Sequence, residues 1–183
     1  MKKILFDENA VYHTLTHFEA LDDKVRAQLH SAGFDDESID AQLRAAGSKF
    51  FVSFARSPQM VVEKLIGMFP RRFEHASVDV DGRVRLSFDC KENIGTQKII
   101  DETELMVEER LTIREEKRGG YCVRTVQTDR MIPTRICQLI LTINDGDVET
   151  GYLCSLFPGE LAPPLFSPEG GLDPYWKTHL FIR

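Results

Sequence analysis

The feature that most limits how this chain can fold is a change of hydrophobic period at Pro70. Before it, apolar residues recur at helical spacing. After it, they alternate, as in strands with one buried face. Leu15, Phe18, Leu21, Val25 and Leu29 predict a helix over Thr14 to Ser31, with Gly33 just past its end. A second helix is expected from Asp35-Asp-Glu-Ser38 through Ile39 and Leu43 to a stop at Gly47. Ser57-Pro58 is the clearest start signal, a serine to cap free amides and a proline for the first helical position. Met60, Val61, Leu65, Ile66 and Met68 follow it, and Phe69-Pro70 ends the run.

Beyond Pro70, Val84-Arg-Leu-Ser-Phe88 alternates strictly behind an Asp81-Gly82 turn signal. Asn93-Ile-Gly95 marks an irregular point, and a strand is expected over Gln97 to Ile100. Leu111 to Lys117, Arg118-Gly119-Gly120 and Tyr121 to Thr128 read as a hairpin. Glutamate-rich Glu104 to Arg118 also suits a helix, so both readings stand. After Pro133, Thr134 to Ile143 and Val148 to Phe157 form a second hairpin around Asn144-Asp-Gly-Asp147. It runs into the exit Pro158-Gly-Glu-Leu-Ala-Pro-Pro-Leu165, which must leave the sheet. Thr178 to Ile182 offers a last strand. The expected fold is α+β, with N-terminal helices followed by a curved antiparallel β-sheet. Residues 1–70 form a helical part on which an antiparallel-sheet domain of residues 71–183 packs, the two making one structural unit.

A chain of 183 residues with 42% hydrophobic and 28% charged residues has the composition of a globular domain. No apolar run reaches the roughly 18 residues that span a bilayer, and Asp7-Glu-Asn9 interrupts the basic start before a signal core develops. A cytoplasmic location without a membrane partner is expected. Cys90, Cys122, Cys137 and Cys154 contain no C-x-x-C pair and are read as reduced, inert thiols. The net charge of -6 opposes a general nucleic-acid coat, so an RNA or DNA role requires a local basic patch. Arg71-Arg72, Arg83 with Arg85, and Arg110 to Arg124 are the richest stretches, the last interleaved with glutamates.

His13 and His17, four residues apart, have the spacing of a helical zinc pair, but Thr14 stands where a metalloprotease carries glutamate. A structural pair is the simpler reading, and His30 near a helix end has one too. His75 and His179 fall in the strand region and are candidate acid or base groups, since histidine titrates near neutrality. Thr134, Arg135 and Ser155 offer two hydroxyls and a guanidinium fork suited to phosphate. Simple alternation, however, puts Arg135 on the face of Cys137, Leu139 and Leu141, so a bulge or an early strand end is needed to expose it. No Walker loop, hydrolase elbow, dinucleotide fingerprint or calcium loop occurs, so no cofactor and no metal are expected.

The order of Asn93-Ile-Gly95, Arg118-Gly119-Gly120, Val126 to Arg130, Pro133-Thr-Arg135 and Leu153 to Pro164 resembles that of the barnase, EndoU, colicin and RelE type ribonuclease superfold of bacterial and phage toxin domains. The resemblance covers about residues 70 to 183. It implies a toxin-type endoribonuclease that cleaves RNA without a metal: a base frees the ribose 2′-hydroxyl, its oxygen attacks phosphorus, and an acid protonates the leaving 5′-oxygen. By position it makes Thr134, Arg135 and Ser155 phosphate contacts and His75 or His179 the acid or base, with RNA as substrate and an antitoxin or immunity protein as partner. The acidic net charge departs from many ribonucleases. The alternatives are a non-catalytic binding or scaffold module of the same fold, or a small-molecule hydrolase.

Overall fold

The computed structural model describes residues 1, 3–45, 47–118, 121–144, 147, 149–167 and 170–183. It is a mixed α+β fold with three mostly antiparallel sheets. The N-terminal third contributes strand β1 (Lys3–Leu5), helices α1 (Glu8–Thr14), α2 (Asp23–Ser31) and α3 (Asp36–Arg44), and strand β2 (Lys49–Phe50). Helices α4 (Pro58–Met68) and α5 (Pro70–Glu74) follow.

The predicted helix over Thr14 to Ser31 is broken in two. A 3-10 turn at Leu15–His17 ends the first piece, and Phe18 bridges to Phe50. The second piece starts afresh because the Asp22 carboxylate accepts from Lys24 N, while Asp22 N donates to Arg56 O at 2.9 Å. Asp7 caps α1 likewise, accepting from Ala10 N. The predicted helix that begins at Asp35 is α3, capped by Asp35, and it ends at Arg44 rather than at Gly47. The third helix lies where Ser57-Pro58 places it: Ser57 Oγ accepts from Met60 N, and Pro58, Val61, Val62 and Leu65 are buried.

The first sheet has strand order β1-β10-β9-β3, with β3 (Arg83–Asp89), β9 (Ile136–Ile143) and β10 (Thr150–Pro158). Its inward face carries Val84, Leu86 and Phe88 on β3, Cys137, Leu139 and Leu141 on β9, and Leu153 and Leu156 on β10, packed with Val61, Val62 and Leu65 of α4. Phe88 is clasped by Phe69 and Phe73, with ring centroids 5.3 and 5.5 Å away. Asp145 and Gly146 of the connecting turn lie outside the described residues. A bulge between Leu153 and Ser155 shifts the register, so that Ser155 lies opposite Ile140.

The second sheet has order β5-β11-β7-β6, with β5 (Ile99–Asp101), β6 (Arg114–Arg118), β7 (Tyr121–Val126) and β11 (His179–Ile182). Strands β6 and β7 form the expected antiparallel hairpin, although Gly119 and Gly120 lie outside the described residues. The rival helix over Glu104 to Arg118 survives only as a 3-10 turn at Glu102–Glu104 and the single turn α6 (Val107–Arg110).

That single turn holds a buried carboxylate. Glu109 Oε1 accepts from Arg130 Nε at 3.0 Å, Glu109 Oε2 from Arg130 Nη2 at 2.8 Å, and Thr128 Oγ1 and Met106 N complete the set. Arg130 first, then Thr128 and the Met106 amide, hold this carboxyl down at about 2. A depressed carboxyl adds stability that is present above its unfolded value near 4.5 and is lost as pH falls toward about 2. Thermal midpoints measured between those limits will therefore fall more steeply with acid in the parent than in Glu109→Gln.

A small third sheet, order β2-β4-β8, joins β2 to β4 (Gly95–Thr96) and β8 (Pro133–Thr134). It ties the N-terminal helices to the strand region, because Phe50 and Ile94 are fully buried at this junction.

Candidate active site

The exit of β10 forms one wall of a cleft of about 400 Å³. Pro158 is the last strand residue and Gly159 turns the chain out of the sheet with φ +110°, a left-handed conformation natural to glycine. Phe157 to Glu160 thereby face β5 and β11 across the cleft. Its other lining residues include Ser48, Lys98, Asp101, Glu104, Tyr175 and His179.

His179 is held on three sides. Its Nδ1 lies 3.0 Å from Tyr175 O and 3.0 Å from Thr178 Oγ1, its Nε2 lies 3.6 Å from Asp101 Oδ2, and the Tyr175 ring stacks on it at 3.6 Å and 13°. Local structure explains each support. The 3-10 turn Pro174–Lys177, capped by Asp173, brings Tyr175 O beneath the imidazole four residues later. The antiparallel register sets Asp101 directly opposite His179.

Asp101 is fixed by Thr103, whose N and Oγ1 both donate to it, at 2.7 and 2.6 Å. Those bonds first, and the nearby His179, hold its carboxyl below the ordinary range, so it stays charged. Burial first, then the Glu160 and Asp101 carboxylates, push the Tyr175 phenol up to about 12. Tyr175 is therefore a neutral O–H donor at any working pH, and its buried hydroxyl has no partner among the described residues.

Ser48 lines the same cleft beside His17 without forming a nucleophile pair. His17 Nδ1 lies 2.9 Å from Ser48 O, an acceptor, so this nitrogen carries the proton and cannot take one from Ser48 Oγ at 3.2 Å. Burial lowers the His17 pKa, and the neutral ring packs against Phe157. His13 and His17 thus sit in different settings, His13 at the end of α1. Among the described residues no group of three His, Cys, Asp or Glu side chains could hold a metal ion.

The remaining predicted site residues fall elsewhere. Thr134 is buried in β8, where its Oγ1 accepts from Ile136 N. Arg135 stands between β8 and β9, so the strand breaks where alternation would have turned it inward. It is exposed, and its Nε pairs with Asp89 Oδ1 at 3.2 Å. Ser155, opposite Ile140, is separated from Ile136 by about 13 Å of strand at about 3.3 Å per residue. His75 follows α5, with its N bonded to Arg71 O. None of these four lines the cleft; of the five predicted residues, only His179 does.

Three of the basic residues singled out in the sequence, Arg83, Arg85 and Arg124, are paired with carboxylates. Arg85 pairs with Asp79 and Asp81, and Arg124 with Glu102 at 2.6 Å. Lys98 makes no ion pair among the described residues. All four cysteines are free, and burial pushes the thiol of Cys90 up to about 11 and raises that of Cys137.

No protein family model matches the chain, and no curated protein matches it. A crystal structure at 2.35 Å of a conserved hypothetical protein from Toxoplasma gondii ME49 is similar to it at 12% identity and a TM-score of 0.41, covering 73% of this chain and 89% of that one. Within the described residues no helix is long and apolar enough to cross a membrane.

Proposed function

We propose that the protein is a toxin-type, metal-independent endoribonuclease whose proton carrier is His179. The reading rests on the motif order of residues 70 to 183 and on a mixed α+β fold with mostly antiparallel sheets. One observation carries it: an imidazole stacked on Tyr175, pinned at Nδ1 by a backbone carbonyl, presents Nε2 beside Asp101 in an open cleft. Pinning one ring nitrogen leaves the other free to exchange a proton with a substrate, which is what general acid catalysis requires.

In this mechanism Glu160, exposed at the cleft's lip, accepts the 2′-hydroxyl proton. The freed oxygen bonds to phosphorus while the bond to the 5′-oxygen breaks, and His179 gives its Nε2 proton to that leaving oxygen. Lys98 stabilises charge on the phosphorane oxygens. The products are a 2′,3′-cyclic phosphate and a 5′-hydroxyl. Arg135 and Ser155 then lie outside the reacting centre. Purified protein with total RNA in EDTA tests the reading: fragments are expected, and intact RNA at high enzyme concentration rejects it.

The competing reading is a non-catalytic binding module, and the cleft's own charge favours it. Asp101, Glu104 and Glu160 outnumber Lys98, which suits a cationic partner better than a polyanion. Under that reading Glu160→Gln weakens capture of a basic peptide. Under the ribonuclease reading it slows cleavage and strengthens RNA binding as salt is lowered, because one repulsive charge is gone.

A further inference from the structure

Strand β3 closes the first sheet on the side away from β1, and its outer edge is bare. The bonding phase follows from its neighbours. Ile143 N donates to Gly82 O at 3.2 Å and Cys90 N to Arg135 O at 2.9 Å, both on the register that pairs Arg83 with Thr142 and Asp89 with Ile136. In an antiparallel ladder the pairs that exchange bonds alternate. Val84, Leu86 and Phe88 therefore bond to β9, and the residues between them turn their N–H and C=O groups outward. Arg83 is satisfied there, its O accepting from Asp79 N at 2.7 Å and its N donating to Asp81 Oδ1 at 3.3 Å. The outward backbone groups of Arg85, Ser87 and Asp89 have no partner among the described residues.

This edge lacks the usual guards. It belongs to a strand of seven residues with an unbroken register, and Val84, Leu86 and Phe88 put no charge on its inward face. The edge strands β1 and β5 carry only three residues each. Asp79 closes one end of the bare stretch, and at the other the chain turns at Lys91, with φ +67°. What remains is Arg85-Leu-Ser-Phe-Asp89, with a cation and an anion at equal distances from Ser87.

We propose that this edge pairs with the same edge of a second copy of the chain, antiparallel about a two-fold axis at Ser87, joining the two first sheets into one. The axis stands perpendicular to the sheet, so each side chain meets one on the same face. Ser87 then lies opposite Ser87 of the second copy, and Arg85 opposite Asp89 of the second copy, twice over by symmetry. All of these are bond-exchanging pairs, so every outward N–H and C=O of the bare stretch is used. Directly opposed unlike charges stabilise such a ladder, whereas moving the axis to Arg85 or to Asp89 would set like charges face to face. Arg85 already pairs with Asp79 and Asp81, and Asp89 with Arg135, so the new contact extends a chain of alternating charge. The exposed Ser87 is small and leaves room at the axis. Pairing along an edge buries little area, as in reversible complexes, so a dimer that forms with concentration is expected. It is independent of any RNA chemistry in the cleft.

Sedimentation velocity of the full chain, from low micromolar to near millimolar concentration, tests the pairing. The mass is expected to rise from 20.9 kDa toward twice that value. Ser87→Pro removes an outward N–H that bonds nothing within the chain, so it should hold the protein monomeric with cooperative unfolding retained. Arg85→Glu and Asp89→Lys should each do the same, because each sets like charges opposite one another. Mixed in equal amounts, these two variants should form a heterodimer. The glutamate of the first then faces the lysine of the second, and the native Asp89 of the first faces the native Arg85 of the second. A dimer indifferent to all three substitutions overturns the pairing, as does an equal mixture of the two folded charge variants that stays monomeric. A parent that is monomeric throughout overturns it too, and leaves the edge to an extended segment of a different protein.

Discussion

Under the proposed ribonuclease reading, replacing His179 with alanine will lower the rate of RNA cleavage in EDTA by about 10²- to 10⁴-fold. The magnitude is that of losing a positioned proton donor, since the alanine variant keeps Glu160 and Lys98 in the cleft. His179→Gln sharpens the test. Its amide can still bond to Tyr175 O and fill the ring's place against Tyr175, yet it cannot shuttle a proton. Equal losses in the two variants, with cooperative unfolding retained, separate proton transfer from packing. His75→Ala should cleave RNA at the parental rate, because His75 lies outside the cleft. Arg135→Ala should change the rate by no more than a few-fold, as this guanidinium is exposed and paired with Asp89. A severe loss in Arg135→Ala with an unaffected His179→Ala would return the phosphate site to the end of β9.

The largest stability effect is expected at Gly95. A Cβ built there would lie 2.1 Å from Lys49 O and 2.9 Å from Lys49 C, both backbone atoms that cannot rotate away. Gly95→Ala must therefore part β2 from β4, where Gly95 pairs with Phe50 and Thr134. Phe50 and Ile94, both fully buried, would lose contacts together. A cost of about 3 kcal/mol or more is expected, which lowers the thermal midpoint by roughly 6–12 °C for a chain of this size. Gly67→Ala is the opposite control: it lies in α4, where an added methyl would meet nothing within 4 Å, so alanine should stabilise by about 0.5–1 kcal/mol. Cleavage should suffer in Gly95→Ala as well, because β2 adjoins Ser48 at the cleft.

Elements whose ends carry their own chemistry were legible from sequence. Ser57-Pro58 specifies the start of α4 by a local hydrogen bond that needs no tertiary partner. Alternation in Val84 to Phe88 likewise survives as β3. The helix over Thr14 to Ser31 failed because spacing alone says nothing about competing caps. Asp22 offers its carboxylate to Lys24 N, and the apolar series Phe18 to Val25 continues across that break by coincidence. Strand β1 carries too few residues for a period, and only its parallel pairing with β10 defines it.

The site was less legible for a geometric reason. Lys98 and Asp101 come from one strand region, Glu160 from the exit of β10, and Tyr175 and His179 from the final turn and strand. Only pairing of β5 with β11 brings Asp101 to His179. One local sign was available: Tyr175 and His179 are four residues apart behind Asp173-Pro174, the pattern of a capped turn that can stack two rings. Sequence order puts Thr134 and Arg135 just before one strand and Ser155 on the strand that pairs with it, but only the register shows that Ser155 lies opposite Ile140, well along β9 from them.

Mass analysis of the ends left on a defined RNA after incubation in EDTA tests His179-centred cleavage most directly. Fragments ending in 2′,3′-cyclic phosphate, produced by the parent and absent with His179→Ala, are predicted. Uncut RNA, or fragments made equally by both proteins, would contradict it.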